Sequence, residues 1–245
     1  MTTRPLEPRD AALISETAFF RGLSSEALAQ AVASARRVTL RAGQHLFRQD
    51  DTANAVYLVL SGRARVLQAS ADGQAVALRV VGPGELLGLV AALGADRYPV
   101  GAQAQGGCTA ARWSGAELWA LLEKSPGMAT AALKMALSRL RELQEQYREL
   151  ATERVEQRIA RALVRLVRQA GKRVELPGGK GGVRIDMPLT RQDLAEMTGT
   201  TLFTVSRTLT AWAERGVLES KRSQVTVLRP HALVALAEDL PGADE

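Results

Sequence analysis

A single cysteine, Cys108, stands in a chain of 245 residues. One thiol excludes an internal disulfide framework, and it excludes an iron–sulfur cluster held by four thiolates of the same chain. Histidine is almost as scarce, His45 and His231 being the two present. Neither takes part in a His-x-His or His-Glu-x-x-His spacing, so no metal site is expected. No run of eighteen apolar residues occurs, which argues against a membrane-spanning helix, and the opening MTTRPLEPRD lacks the apolar centre of a secretion signal. A cytoplasmic protein with no membrane partner is therefore expected. Aromatic residues make up 4% of the chain, without the stacking motifs of single-strand RNA readers. The stretch GKGGVR departs from the phosphate-loop pattern, and no nucleophile–base motif stands out, so an enzyme is not expected.

What the chain does have is basic charge in one place. The net charge is +6. Residues 153 to 232 carry 15 Lys/Arg against 8 Asp/Glu, residues 1 to 152 carry 17 against 14, and the stretch after residue 232 carries four acids and no base. A local basic excess of this size suits a phosphate-binding surface, where release of condensed counterions drives association.

The most informative stretch lies inside that basic region. Residues 189 to 220, LTRQDLAEMTGTTLFTVSRTLTAWAERGVLES, read as two short helices joined by a tight turn and followed by a wing. Thr190 and Asp193 can satisfy the free N–H groups of a helix start. Gly199 stands at the turn, where glycine tolerates positive φ. Thr201 can cap the second helix, with Val205 and Leu209 facing inward at i, i+4 spacing. Leu202, Phe203, Thr204, Ser206 and Arg207 then face outward, the positions that meet base edges in a helix-turn-helix. VLES and QVTVL bracket Lys221-Arg222-Ser223, a wing whose basic tip can reach a phosphate.

Upstream, residues 13 to 36 read as helical with a break near Gly22, Ser24 capping the second part. From Val38 the pattern changes to short strands, AVYLVL, ARVLQA and AVALRVVG among them, punctuated by turn signals such as Asp72-Gly73 and Gly82-Pro83-Gly84. Such spacing implies a small β barrel or sandwich. Residues 126 to 151 read as one long helix. Leu133, Leu140 and Tyr147 recur every seven residues and Ala136, Leu143 and Leu150 fill the alternate seam positions, a heptad stripe that predicts a parallel homodimer. An amphipathic helix follows (Val155, Ile159, Leu163, Leu166, Val167, Ala170), ended by Gly171 as a cap. PGGKGG at 177 to 182 reads as a loop, and Pro230 ends the second wing strand with His231 in a loop or helix cap.

Barrel, heptad helix and winged helix-turn-helix, in that order, resemble the family of the cyclic AMP receptor protein and the fumarate-nitrate reduction regulator (Crp/Fnr). FFRGLSSEAL, RAGQHLFRQDD leading into VYLVLSGRARV, the GPGELLG turn and LTRQDLAEMTG…TVSRTL carry the likeness. The resemblance implies an α+β fold with an N-terminal double-stranded β-helix, a jelly-roll barrel like those that bind cyclic nucleotides. Its expected partition is 1–124 sensor barrel, 125–152 dimerisation helix, 153–237 winged helix-turn-helix and 238–245 acidic tail. It implies a homodimeric regulator that grips a palindromic operator in double-stranded DNA and works with RNA polymerase, the recognition helix covering about 201–214.

Carried over residue by residue, Arg207 matches the arginine that contacts guanine, and Thr190, Arg191 and Gln192 fall at the start of the first helix of the motif. Phe203 departs from the pattern, in which a glutamate is frequent, and Leu202 replaces a polar residue. An operator that keeps the guanine but differs at the neighbouring pair is the expectation. The effector pocket falls on Gly84, Glu85, Leu87, Gly88 and Leu89 and on Arg97, Tyr98, Pro99 and Val100. A cyclic nucleotide needs a paired cation for its phosphate, yet Tyr98-Pro99 stand where an Arg-Ser pair is expected and Arg97 is one residue early. Cyclic AMP is therefore disfavoured. Haem needs only one or two axial ligands, for which His45, Cys108, His231 or a methionine are the candidates. A nitrogen-oxide or redox signal, or no effector at all, stays open beside it, as does a cyclic nucleotide held by a non-standard pocket.

Overall fold

The computed structural model describes residues 2–69, 75–91, 93–175, 181–221 and 223–240. The chain divides into two compact units, Met1–Arg141 and Glu142–Glu245.

In the first unit the chain runs through β1 (Thr2–Arg4), α1 (Pro8–Glu16), α2 (Ser25–Ser34), β2 (Arg36–Leu40), β3 (His45–Phe47) and β4 (Ala55–Ser61). It continues through β5 (Ala64–Ala69), β6 (Ala75–Val81), β7 (Leu86–Leu87), β8 (Gly101–Ala104), β9 (Cys108–Ser114) and α3 (Gly115–Lys124) into α4 (Pro126–Thr152). Two sheets form, β1-β2-β9-β4-β7 and β3-β8-β5-β6, and they pack as a β-sandwich. Strand β4 explains the layering. Ala55, Tyr57 and Val59 belong to the core between the sheets, while Val56, Leu58 and Leu60 belong to a second core under the helices. A strand covered on both faces needs an unbroken apolar run, because alternate residues point to opposite faces.

The second core also takes in Ile14, Phe19, Phe20, Trp113, Leu118 and Met128. Trp113 donates its indole N–H to the Ala31 carbonyl at 2.7 Å and lies 5.2 Å from the Phe20 ring. Ser24 caps α2 by accepting from the Ala27 N–H, and Ser114 with Glu117 forms a reciprocal capping box on α3. The helical stretch expected from residue 13 starts earlier, at Pro8, whose missing N–H is no loss in a first turn. Asp10 in that turn is buried and paired with Arg37 at 2.7 Å. The expected break comes at Thr17, whose hydroxyl donates to the Leu13 carbonyl, before α2 opens. Strands β5 and β6 pair antiparallel with Ala69 opposite Ala75; the Asp72-Gly73 turn lies outside the described residues.

The second unit holds α5 (Val155–Ala170), β10 (Gly171–Glu175), β11 (Gly181–Ile185), α6 (Arg191–Thr198), α7 (Leu202–Glu214), β12 (Leu218–Lys221), β13 (Gln224–Val227) and α8 (Pro230–Glu238). Its sheet runs β10-β11-β13-β12, so the wing hairpin is extended by two strands that the sequence pattern did not disclose. Gly181 and Gly182, read as loop, already belong to β11; residues 176–180 lie outside the described residues. Gly171 ends α5 for a different reason from the one expected. Its φ is −75°, and a Cβ there would stand 2.4 Å from the Val167 carbonyl oxygen and 2.8 Å from Val183, so glycine is required by close approach. His231 falls in the first turn of α8 and not in a loop.

Candidate nucleic-acid interface

Local chemistry sets the two helices of the motif. Thr190 and Asp193 form a reciprocal box at the start of α6: the Thr190 hydroxyl donates to the Asp193 carboxylate at 2.7 Å and accepts from the Asp193 N–H at 3.1 Å. Gly199 then closes the helix at φ 60°, ψ 45°, the left-handed conformation that a side chain disfavours. The Thr201 hydroxyl accepts from the Thr204 N–H to start α7. Val205, Thr208, Leu209 and Trp212 are buried and fix one face of α7 inward.

The opposite face presents Leu202, Phe203, Ser206, Arg207 and Thr210. Phe203 is 75% exposed and Leu202 50%. Arg207 is exposed and makes no hydrogen bond or ion pair among the described residues. Arg191, at the start of α6, donates to the Ser206 hydroxyl at 2.7 Å and is thereby held against the middle of α7. Gln192 is turned to Glu196 at 3.0 Å. In the wing, Lys221 is exposed at the end of β12, 3.9 Å from Glu219; Arg222 lies outside the described residues. The wing is tied to the motif where the Leu189 N–H donates to the Ser223 carbonyl. Thr190, Arg191, Ser206 and Arg207 thus come together through α6 and α7, with a basic wing on the same sheet-backed scaffold.

A group of charges that sequence reasoning missed secures the elbow where α4 passes into α5. Glu149, buried, accepts from Arg165 at 2.7 and 2.9 Å. Glu153 pairs with Arg161 at 3.0 Å, and Arg161 reaches on to Glu238 of α8. Arg158 donates to the Thr198 carbonyl at 3.0 Å, satisfying the open end of α6. The signal was present in sequence as arginines at 158, 161 and 165, one face of a helix, beside the acids at 149 and 153.

Along α4, Met128 and Ala132 are buried in the first unit, with Ala131 and Met135 packed at its edge. The stripe read as a seam points elsewhere: Leu133, Leu140, Leu143, Tyr147 and Leu150 are 43% to 75% exposed, and Ala136 is exposed too. Leu137, 47% exposed, widens that stripe and was not singled out by the seven-residue repeat.

The expected effector pocket is brought together only in part. Tyr98 is buried inside the sandwich and stacks on Phe47 with ring centroids 4.0 Å apart. Its hydroxyl donates to the Ala55 carbonyl at 2.6 Å and accepts from the Ala55 N–H at 3.0 Å. Burial pushes the Tyr98 phenol above its ordinary range. Gly88, at φ +72°, passes so close to Ala55, Tyr98 and Phe47 that a Cβ would meet all three. Leu87 is buried beside them. The charged residues have other occupations. Glu85 pairs with Arg79 at 2.9 Å and accepts from the Gly82 N–H at 2.7 Å, closing the turn around Gly84. Arg97 is exposed and donates to the Asp50 carbonyl at 2.7 Å; Pro99 is exposed, and Leu89 and Val100 are half-buried.

Among the haem-ligand candidates, His45 is half-buried on β3, its imidazolium disfavoured first by burial and then by Arg48. Cys108 is buried on β9, and burial pushes its thiol up to about 11. His231 is exposed. Among the described residues no group of three or more potential metal ligands converges, and no helix is long and apolar enough to cross a membrane.

Comparison with known proteins fits this geometry. Residues 37–125 match the model of the cyclic nucleotide-binding domain, and residues 157–236 match that of the Crp-like helix-turn-helix domain. The chain is 30% identical over 218 residues to the cyclic AMP receptor protein of Thermus thermophilus, covering 89% of this chain and 95% of that protein. It is 28% identical over 184 residues to the nitrogen fixation regulation protein FixK of Azorhizobium caulinodans, 75% of this chain and 71% of that one. The structure of FixK2 from Bradyrhizobium japonicum shares the fold, with a TM-score of 0.71 at 22% identity over 82% of this chain and 96% of that chain.

Proposed function

Because the chain belongs to the Crp/Fnr family and is a DNA-binding transcription regulator of that type, we propose that it works as a parallel homodimer. Two copies zip along Leu133, Ala136, Leu140, Leu143, Tyr147 and Leu150 and present two copies of α7 to successive major grooves of a palindromic operator. Residues 125–152 then serve as the dimerisation helix between a sensor part, 1–124, and a DNA-reading part, 153–237. RNA polymerase is the partner through which such binding acts on transcription.

One observation carries this reading: Arg207 stands exposed and unpartnered among the described residues on a helix whose opposite face is core. A guanidinium left free in a basic unit is available for the O6 and N7 acceptors of guanine, the commonest base-specific pairing. Arg191, the wing Lys221 and its neighbour Arg222 supply phosphate contacts that set register and not sequence. Fluorescence anisotropy with a selected operator and with random duplex tests the assignment. Arg207→Ala should weaken operator binding by about 1–3 kcal/mol while leaving random-duplex binding nearly unchanged. Equal loss on both duplexes would remove Arg207 from base reading.

The sensor works on a signal other than cyclic AMP in this proposal. Tyr98 and Glu85 are satisfied by their own chain, and Arg97 is engaged by the Asp50 carbonyl. A nitrogen-oxide or redox signal, haem-borne or not, or regulation by abundance alone, stands in its place. The match of residues 37–125 to a cyclic nucleotide-binding domain favours a second reading, a nucleotide held by a non-standard set of contacts. Titration calorimetry separates the two: heat on adding cyclic AMP or cyclic GMP supports the second, and absorbance of the purified protein reconstituted with haem addresses the first. Whatever the ligand, it shifts the DNA-binding equilibrium only by its difference in affinity for the two states.

A further inference from the structure

We propose that Phe203 makes this regulator a reader of the pyrimidine C5-methyl group. Beside the guanine bound by Arg207, it selects a pyrimidine that carries a methyl in the major groove, thymine or 5-methylcytosine alike. The inference rests on the DNA-reading role of α7 proposed above and deepens it.

Phe203 and Leu202 are the first two residues of α7, and both stand largely in water. Adjacent large apolar side chains left outside a core, rimmed by polar residues, mark a place that a partner covers. The rim here is Thr201, Thr204, Ser206 and Arg207. The basic excess of residues 153–232, 15 Lys/Arg against 8 Asp/Glu, selects a polyanion as that partner. On a duplex, the apolar feature a major-groove helix meets at a base edge is the methyl on C5 of thymine. Phenylalanine has neither donor nor acceptor, so hydrogen-bonding patterns of the bases are invisible to it.

The neighbouring hydroxyls do not change this. The Thr204 hydroxyl is bonded to that of Thr201 at 2.9 Å, and the Ser206 hydroxyl accepts from Arg191 at 2.7 Å. Each hydroxyl is thus held in place by a bond within the chain, although Ser206 and one of the two threonines keep an O–H to donate. The groups at this end of α7 with no bond of their own are the apolar pair and the guanidinium. Phe203 and Arg207 lie four residues apart on one face, about 6 Å along the helix axis. Base pairs stack about 3.4 Å apart, which puts the methyl within about two base pairs of the guanine. Cytosine lacks that methyl and 5-methylcytosine restores it at the same carbon, so the contact does not distinguish thymine from methylated cytosine.

The test uses the purified full chain and an operator enriched from random duplexes. Each thymine in turn is replaced by deoxyuridine, which removes one methyl and leaves the pairing intact. At one position of each half-site the substitution should weaken binding about fourfold, the worth of one buried carbon. Phe203→Ala should lose that sensitivity and keep its response elsewhere, whereas Phe203→Leu should retain part of it. Replacing thymine there by 5-methylcytosine should bind more tightly than replacing it by cytosine, by a similar factor. If uridine is tolerated everywhere while Arg207→Ala still loses operator preference, methyl reading is overturned and the DNA-reading proposal survives. Methyl reading by Phe203 is equally overturned if wild type and Phe203→Ala respond to uridine alike. A selection that enriches no sequence overturns the underlying DNA-reading role itself.

Discussion

The interior of the sandwich and the outer face of α7 use similar side chains to opposite ends. Phe47, Tyr57 and Tyr98 are buried in a stack, Tyr98 is hydrogen-bonded to Ala55 and the Tyr57 hydroxyl donates to the Leu46 carbonyl at 3.2 Å. Arg97 and Glu85 nearby are answered by groups of their own chain. On α7 the ring of Phe203 and the guanidinium of Arg207 face water. A group satisfied within the chain holds architecture together, because removing it leaves a cavity or an orphaned donor. A group held out unsatisfied contributes little to folding and is free for a partner. The seam of α4 belongs with α7 in this respect: its leucines are apolar, aligned and exposed.

The contrast breaks most visibly at that seam. Leu140→Glu places like charges face to face in a parallel dimer, so assembly should be lost and the mass by light scattering should halve, with circular dichroism unchanged. An unaltered mass would make the stripe a solvated helix face. Next comes Tyr98→Ala, expected to destabilise the chain by about 3–5 kcal/mol in urea unfolding, through lost packing and a cavity. Tyr98→Phe keeps the ring but leaves Ala55 without its side-chain partner, a loss of about 1–3 kcal/mol. If Tyr98→Ala instead left stability intact, the ring would be a lid and not part of the core.

Cys108 gives a smaller effect with a defined sign. Its thiol is raised from an ordinary 9.0 to about 11 by burial, so the folded chain holds the proton more tightly than the unfolded one. Stability from this group is complete below pH 9 and is lost as pH rises toward 11, at about 1.4 kcal/mol per unit. Cys108→Ala should flatten that part of the stability profile. Persistence of the full slope in the variant would assign it to other groups.

Much of the fold was legible because its signals are local. The caps at Ser24, Thr190 and Thr201 and the left-handed turn at Gly199 each depend on residues within four positions. Strand β10, GKRVE, was not legible: it is polar and exposed along most of its length, and pairing with β11 alone makes it a strand. The reason for Gly171 was hidden for the same cause, since the atom that excludes a side chain belongs in part to Val183. In the candidate sites the pattern repeats. The outward face of α7 follows from helical period alone, whereas the engagement of Tyr98 depends on Ala55, 43 positions away, and no spacing rule in the sequence connects them.

The smallest expected effect is the sharpest discriminator. Phe203→Ala and Arg207→Ala should each change unfolding free energy by no more than about 0.5 kcal/mol, the range of surface substitutions that touch no cap, core or network. The position of Phe203 makes the point: it follows the Thr201 cap, whose bond to the Thr204 N–H uses none of its atoms. Alanine has the higher helix propensity, so Phe203→Ala should even stabilise α7 slightly. Urea unfolding of both variants beside the wild type measures this directly. A loss of several kcal/mol in either would mean that the side chain is embedded in a contact of the folded chain or of the dimer. The opposition between a self-satisfied barrel and a partner-seeking helix would then fail at the residue on which it most depends.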